Sequence, residues 1–171
     1  MGRIPERLQE RFGRSAHFYP QHSLTAMRIE YDKLQILNDI DPSRAAAFSG
    51  YRVEKIVPPG NAAGHTAVRE RIVRRTARAV LDLRYRDYHT YLCGMATGFD
   101  LWAGLAVLSL KKQLPDLRLI AVVPYRGQAN GFPYEFKELY SAVLAAADCR
   151  VCLHQNFTRS CFHERNRAML D

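Results

Sequence analysis

The chain has 171 residues, of which 47% are hydrophobic and 25% charged, so one globular domain is expected and a wholly disordered chain is excluded. Lys and Arg number 25 against 17 acidic residues, which gives a formal net charge of +8 at pH 7. Because 20 of the 25 basic residues are Arg, whose guanidinium binds phosphate through two parallel hydrogen bonds, we expect an anionic ligand.

No segment is typical of a membrane span or a secretion signal. The longest nearly apolar run, residues 101–110, is about half as long as a membrane-spanning helix and is followed by two lysines. The first residues, MGRIPERLQERFGRS, carry charges where a signal peptide needs an apolar stretch. The four Cys are therefore expected to be reduced thiols. These features predict a cytoplasmic protein with no membrane partner.

Residues 1–44 differ from the rest of the chain and are predicted to form a helical extension. Apolar residues recur at helical spacing in two short segments: Ile4, Leu8 and Phe12, then Met27, Tyr31 and Leu34. We expect this extension to pack on the main domain, residues 45–171, or on a partner.

From residue 45 onwards, short apolar runs alternate with helical periods. Strands are predicted at 45–48, 89–93, 117–123 (stopped by Pro124) and 149–153. Helices are predicted at 66–83, 99–113, 136–147 and 162–170. This alternation predicts a Rossmann-like α/β fold, with a parallel sheet and helices on both faces. Ligands of such sheets bind at the carboxyl ends of the strands.

The loops after three of these strands have compositions that suit a ligand site. They read SGYR after the first strand, GMATGFD after the second and PYRGQ after the third. In the second loop, Gly94 and Gly98 allow a tight turn into a helix, whose first N–H groups and dipole attract anions. Ordinary structural explanations stay open: the glycines avoid steric clashes, Asp100 caps its helix, and Trp102 packs in the core.

Together these segments resemble the SLOG superfamily, which includes the DNA-processing protein DprA and the LOG cytokinin-activating hydrolases. FSGYR, GMATGFDLWA and VPYRGQ carry the resemblance, and the closest pattern is the YpsA-like group. That group also has a segment like AADCRVCL and a late Arg-Asn, here Arg165 and Asn166, followed by Met169 and Asp171. The resemblance covers about residues 45–171. It implies a Rossmann-like fold that binds a nucleotide or nucleotide-derived ligand, with no established reaction.

We therefore expect a nucleotide-binding or sensing protein, with a ligand such as ADP-ribose, rather than an enzyme. No catalytic or metal-binding residue is assigned. Arg52 is expected to bind phosphate, Asp100 ribose and Gln128 sugar or base, while Arg165 and Asn166 close the site. The expected ligand-binding residues are Gly50, Tyr51, Arg52, Gly94, Met95, Ala96, Gly98, Phe99, Asp100, Pro124, Gln128, Arg165 and Asn166.

Two other functions within the superfamily remain as alternatives. Residues 66–86 hold seven Arg against two acidic residues, and four of the Arg lie opposite the apolar stripe, which suits a DprA-like protein that binds single-stranded nucleic acid. No aromatic residues interleave with these arginines to stack bases, which weighs against that function. A LOG-like hydrolase is also disfavoured, because the Pro-Gly-Gly-x-Gly-Thr loop of that group is absent.

A zinc site is a further alternative. Cys149, Cys152, His154, Cys161 and His163 crowd into one short segment, and the first two have the C-x-x-C spacing of zinc ligands. If 149–153 is a strand, however, the odd separation points those two side chains to opposite faces of the sheet.

The end of the chain gives a last expectation. Relatives continue past the Met-Asp position into another strand and a Gly-rich turn. We therefore expect a truncated family member, or one whose missing strand comes from a partner. Such a chain would bind its ligand weakly in isolation and self-associate, in a homo-oligomer or an aggregate, through the open sheet edge.

Overall fold

The computed structural model describes residues 37–58 and 62–170. Within them, the strands form one parallel sheet in the order β1 (Ala45–Phe48), β2 (Thr90–Cys93), β3 (Arg118–Tyr125) and β4 (Cys149–His154). The α-helices are α1 (Val53–Ile56), α2 (Ala62–Arg84), α3 (Phe99–Lys111), α4 (Tyr134–Ala146) and α5 (Cys161–Ala168). Short 3₁₀ helices cover Pro42–Arg44 and Gln128–Gly131. The predicted Rossmann-like α/β fold is confirmed, whereas the two predicted helices within residues 1–36 lie outside the described residues.

The two faces of the sheet are covered by different parts of the chain. Successive strand residues alternate between them, so Tyr91 and Leu119 belong to one apolar cluster and Leu92 and Ile120 to another. The first cluster includes residues of α2, α3 and α4, the crossover helices. The strands follow one another across the sheet in chain order. Because crossovers between parallel strands are right-handed, all three of these helices lie on the same face. Met169, at the end of α5, packs against the second face.

Helix α3 is the most deeply buried of the helices that the structure describes. Leu101, Trp102 and Val107 have no exposed surface, so the core position expected for Trp102 is confirmed. Burial of each large side chain of this kind stabilises the fold by about 1.5–3 kcal/mol. No helix in the described part of the chain is both long and apolar enough to cross a bilayer.

The prediction that Pro124 stops the third strand is wrong. Strand β3 continues through Pro124 to Tyr125, which pairs with His154 of β4. Proline lacks only its own N–H donor, and pairing resumes immediately beyond it, where the Arg126 N–H donates to the His154 carbonyl at 3.0 Å. Pro124 is therefore a strand residue rather than part of the following loop.

Charged side chains and His89 form a network at the amino end of the sheet, away from the carboxyl end where a ligand is expected. The ring of His89 lies just before β2, with Nδ1 3.0 Å from Asp116 Oδ2 and Nε2 2.7 Å from Asp87 Oδ1. Arg84 Nη2 lies 2.6 Å from Asp116 Oδ2, and Arg44 Nη1 lies 3.0 Å from Asp87 Oδ2. These contacts join the segment before β1, the end of α2 and the loop before β3.

This network lowers the pKa of both carboxyl groups. The hydrogen bond with His89 holds the pKa of Asp87 below its usual 3.8. For Asp116, desolvation acts to raise the pKa, but the hydrogen bonds with Arg84 and His89 together outweigh it and hold the pKa below 3.8. Both groups are largely exposed, so each interaction is individually modest.

The network makes stability depend on pH in the acid range. A depressed folded pKa stabilises the fold above the unfolded value of 3.8, and that contribution is lost as the pH falls through the folded pKa. Asp116→Asn should therefore lower the free energy of unfolding near neutral pH and reduce its loss on acidification below about pH 4. Urea unfolding at a series of pH values measures both effects, with Asp82→Asn, at an exposed position of α2, as the control. An unchanged acid dependence in Asp116→Asn would contradict the assignment.

Candidate functional site

The loops after β1 and β2 meet at a single buried carboxylate, that of Asp100 in the first turn of α3. Its Oδ1 accepts the Gly50 N–H at 3.0 Å, and its Oδ2 accepts the Ala96 N–H at 3.4 Å. Asp100 Oδ2 also lies 3.1 Å from Nη1 of Arg165, which α5 supplies. Only 1% of Asp100 and 5% of Arg165 are exposed. The two residues form a buried ion pair that holds three segments together.

Arg165 extends this connection to the end of β2. Its Nη1 donates to the Gly94 carbonyl as well as to Asp100. A Cβ at position 94 would overlap this guanidinium and would lie 2.7 Å from Asp100 Oδ2. Glycine is therefore required at position 94 because the ion pair occupies the space that a side chain would take.

The ion pair lies in a strongly desolvated environment. Burial raises the pKa of Asp100 above its usual 3.8, although the charge of Arg165 and the hydrogen bonds from Ala96 and Gly50 oppose this shift. Burial also raises the pKa of the adjacent Cys93 thiol to about 12, and its Sγ donates to the Asp100 carbonyl at 3.1 Å. A thiol in this state is protonated near neutral pH and is not a nucleophile.

The turn that begins α3 is packed tightly against the loop after β1. Gly98 has a φ of 89°, and a Cβ there would lie 2.5 Å from the Val53 nitrogen and 2.8 Å from the Tyr51 carbonyl oxygen. The next N–H, that of Phe99, donates to the same carbonyl at 3.2 Å. Both the backbone conformation and the space thus require glycine at position 98.

Three side chains of the 3₁₀ helix after β3 and of α5 each have one buried polar atom without a hydrogen-bond partner among the described residues. Gln128, in the 3₁₀ helix after β3, donates from Nε2 to the Met95 carbonyl at 3.1 Å. Its Oε1 has no hydrogen-bond partner among the described residues, and the same is true of Asn166 Oδ1 and Arg165 Nε. Buried polar atoms are rarely left in this state, because a protein group or an ordered water normally satisfies them.

The rim of the site is exposed. Tyr51 is 74% exposed, and Arg52 is also exposed. The Arg52 guanidinium lies 4.9 Å from the ring centroid of Phe162, in a cation–π contact. The Arg52 backbone lies against Gly98, since a Cβ on that glycine would be 2.9 Å from the Arg52 carbonyl carbon.

Most of the residues expected at the site belong to one connected set. These are Gly50, Tyr51, Arg52, Gly94, Met95, Ala96, Gly98, Phe99, Asp100, Gln128 and Arg165. Asn166 lies next to Arg165 in α5, while Pro124 is buried inside β3. The ribose contact of Asp100 and the closing role of Arg165 stay predictions, and in this structure both side chains are bound to protein groups.

The sequence indicated Tyr125 as a residue that could stack a base or simply pack, but it did not indicate the two phenylalanines near it, Phe157 and Phe162. Phe162 is in the first turn of α5, and the rings of Tyr125 and Phe157 contact it. No periodic spacing marks these three residues, because they come from a strand end, a loop and a helix. Only the fold brings them together.

The cysteines near the end of the chain are separated by the sheet. Cys152 packs in the cluster under α3 and α4, whereas Cys149 packs against the other face, as their odd separation predicts. Within the residues that the structure describes, no three His, Cys, Asp or Glu side chains are grouped closely enough to hold a metal ion.

Comparison with known proteins gives a consistent assignment. The family model described as the YspA SLOG family matches residues 47–171. The UPF0398 protein YpsA of Bacillus subtilis is 33% identical over 76 residues, which are 43% of this chain and 42% of that protein. A UPF0398 protein of Bacillus velezensis is 37% identical over 51 residues, which are 30% of this chain and 28% of the relative. The matched segments thus span less than half the length of these curated relatives. The YpsA-like resemblance found in the sequence is confirmed.

The buried ion pair leads to a prediction about stability. Arg165→Met removes the charge partner of a buried carboxylate and should lower the free energy of unfolding by about 3–5 kcal/mol. The double variant Asp100→Asn, Arg165→Met removes both charges and should be more stable than the sum of its single variants implies. Urea unfolding of the single and double variants measures this coupling.

The matched control is Arg167→Met, at an exposed position of the same helix. It should change the free energy of unfolding by no more than about 0.5 kcal/mol. Strictly additive effects of the two substitutions would show that the Asp100–Arg165 pair does not couple these segments.

Proposed function

Because this chain belongs to the YspA SLOG family, we propose that it binds a nucleotide or a nucleotide-derived ligand such as ADP-ribose. The binding site is the carboxyl edge of β1, β2 and β3. Its role is binding or sensing, since the buried groups nearest the site are held in structural contacts. The Cys93 thiol is protonated, and both carboxylate oxygens of Asp100 accept hydrogen bonds from protein groups.

The observation that carries this proposal is the unpaired Oε1 of Gln128. The side chain is 4% exposed, and its other amide atom is bound to the loop after β2. This arrangement supports a ligand hydroxyl or amino group as the donor to Oε1. A sugar hydroxyl or the exocyclic amine of a base supplies such a donor.

The expected phosphate position is at the start of α3, next to Arg52. Helix α3 has 13 residues, and the positive end of its dipole is at the Gly98 turn. The backbone of Arg52 lies against that turn, and its guanidinium is exposed. The carboxylate of Asp100 in the first turn of α3 is already paired with Arg165, so the exposed guanidinium of Arg52 is the group that favours an anionic ligand over a neutral one here.

In this proposal Asp100 and Arg165 position the loops and do not contact phosphate. Asp100 fixes the Gly50 and Ala96 N–H groups, and Arg165 fixes the Gly94 carbonyl. The loops are therefore held in place before a ligand arrives, which reduces the entropic cost of binding.

Loss of the exposed guanidinium should weaken binding without unfolding the protein. Arg52→Ala should reduce affinity for ADP-ribose by a factor of about 10 to 150, because a charge-assisted hydrogen bond contributes about 1.5–3 kcal/mol. Isothermal titration calorimetry measures the affinity, and far-UV circular dichroism checks the fold. The control is Arg86→Ala, at an exposed position near the amino end of the sheet. Equal affinities of Arg52→Ala and wild type would mean that phosphate does not bind here.

A second candidate function is binding of single-stranded nucleic acid along α2. The observation that favours it is a row of exposed arginines on that helix, Arg71, Arg74, Arg75 and Arg78. Such a row produces a positive stripe that attracts a phosphate backbone irrespective of base sequence.

This candidate predicts a strong dependence of binding on salt. Affinity for a labelled oligo(dT) should fall steeply as salt rises, because each phosphate that the protein neutralises releases condensed counterions. Replacing the four arginines by Gln should reduce the slope of log affinity against log salt by about 0.7 for each phosphate that the variant no longer neutralises. Fluorescence anisotropy measures the slope. If wild-type protein shows no binding at about 50 mM salt, the candidate is excluded.

A further inference from the structure

Three aromatic rings form a cluster at the carboxyl edge of the sheet, which we call the aromatic patch (Tyr125, Phe157 and Phe162). The Tyr125 ring centroid lies 5.5 Å from that of Phe157 and 6.1 Å from that of Phe162, both in edge-to-face geometry. The two phenylalanine centroids are 6.3 Å apart. Tyr125 ends β3, Phe157 follows β4, and Phe162 is in α5.

The patch is open to solvent at Phe157. That side chain is 58% exposed, and among the described residues it is the only phenylalanine that is largely exposed. A phenyl ring gains nothing from water by hydrogen bonding, and its burial is favourable. An exposed ring held in place by two aromatic neighbours has the properties of a preformed surface for stacking.

The patch adjoins the groups assigned to the phosphate. The Arg52 guanidinium is 4.9 Å from the Phe162 ring centroid, so a positive charge and the aromatic patch lie side by side. Phe162 also lies about one helical turn before Arg165 and Asn166, on the same side of α5. The aromatic patch is therefore continuous with the candidate site.

We propose that the aromatic patch stacks the base of the nucleotide, with Phe157 as the principal contact. This inference rests on the proposed function and specifies its ligand class: molecules that carry both a phosphate and an aromatic base. A sugar phosphate without a base satisfies Arg52 but leaves the patch exposed. The site therefore selects nucleotides over sugar phosphates.

The test compares ligands that differ only in the base. Wild-type protein should bind AMP about 5 to 150 times more tightly than ribose 5-phosphate, since stacking of a base on an aromatic ring contributes about 1–3 kcal/mol. Phe157→Leu should reduce the affinity for AMP to nearly that for ribose 5-phosphate, whereas Phe157→Tyr should retain the preference. Arg52→Ala should weaken binding of both ligands by a similar factor. Tyr85→Leu, which alters an 88% exposed aromatic residue away from the patch, is the matched control and should change neither affinity.

A spectroscopic readout reports stacking directly. The chain has a single tryptophan, the fully buried Trp102, so a tryptophan placed in the patch gives a separate, solvent-exposed signal. The fluorescence of Phe157→Trp should be quenched by AMP over its binding range and left unchanged by ribose 5-phosphate. A Tyr85→Trp variant should respond to neither ligand.

The outcomes separate the two proposals. Equal binding of AMP and ribose 5-phosphate by wild type, or an AMP preference that survives Phe157→Leu, overturns the stacking inference while phosphate binding at Arg52 stands. Binding of neither ligand by wild type overturns the stacking inference, and failure to bind ADP-ribose as well overturns the proposed nucleotide function.

Discussion

The buried ion pair between Asp100 and Arg165 is the interaction on which the candidate site depends. Moving a carboxylate and a guanidinium out of water costs several kcal/mol for each ion, and the hydrogen bonds that the pair makes to other groups offset part of this cost. Here Asp100 accepts two backbone N–H groups, from Gly50 and Ala96, and Arg165 also donates to the Gly94 carbonyl. One pair therefore fixes two strand-end loops and α5 relative to each other.

This arrangement divides the site into a buried framework and an exposed rim. The framework satisfies most of its own polar groups and leaves a few acceptors and donors, such as Gln128 Oε1, unpaired. The rim carries Arg52 and, through its contact with Phe162, the aromatic patch. A chain with a formal net charge of +8 attracts anions. In the function that we propose, the residues of the rim select among them.

The sequence predicted the sheet well because each strand and long helix has its own periodic apolar pattern, and it identified Gly94 and Gly98 from their spacing in one loop. It did not predict the pairing of Asp100 with Arg165, since 65 residues separate them and periodicity carries no information on such distances. The four-residue helix α1 is too short to show a period. The end of β3 was predicted wrongly because Pro124 removes only one donor, while the residues on either side of it maintain the strand pairing.

The most direct test of a nucleotide site at the carboxyl edge is hydrogen–deuterium exchange of the whole chain with and without saturating ADP-ribose. Backbone N–H groups that bind or are covered by a ligand exchange more slowly. A nucleotide site at the carboxyl edge predicts slower exchange in residues 49–52 and 94–98, with the amino edge around His89 unchanged. Protection confined to the amino edge or to α2, or no protection anywhere at saturating ligand, would contradict it.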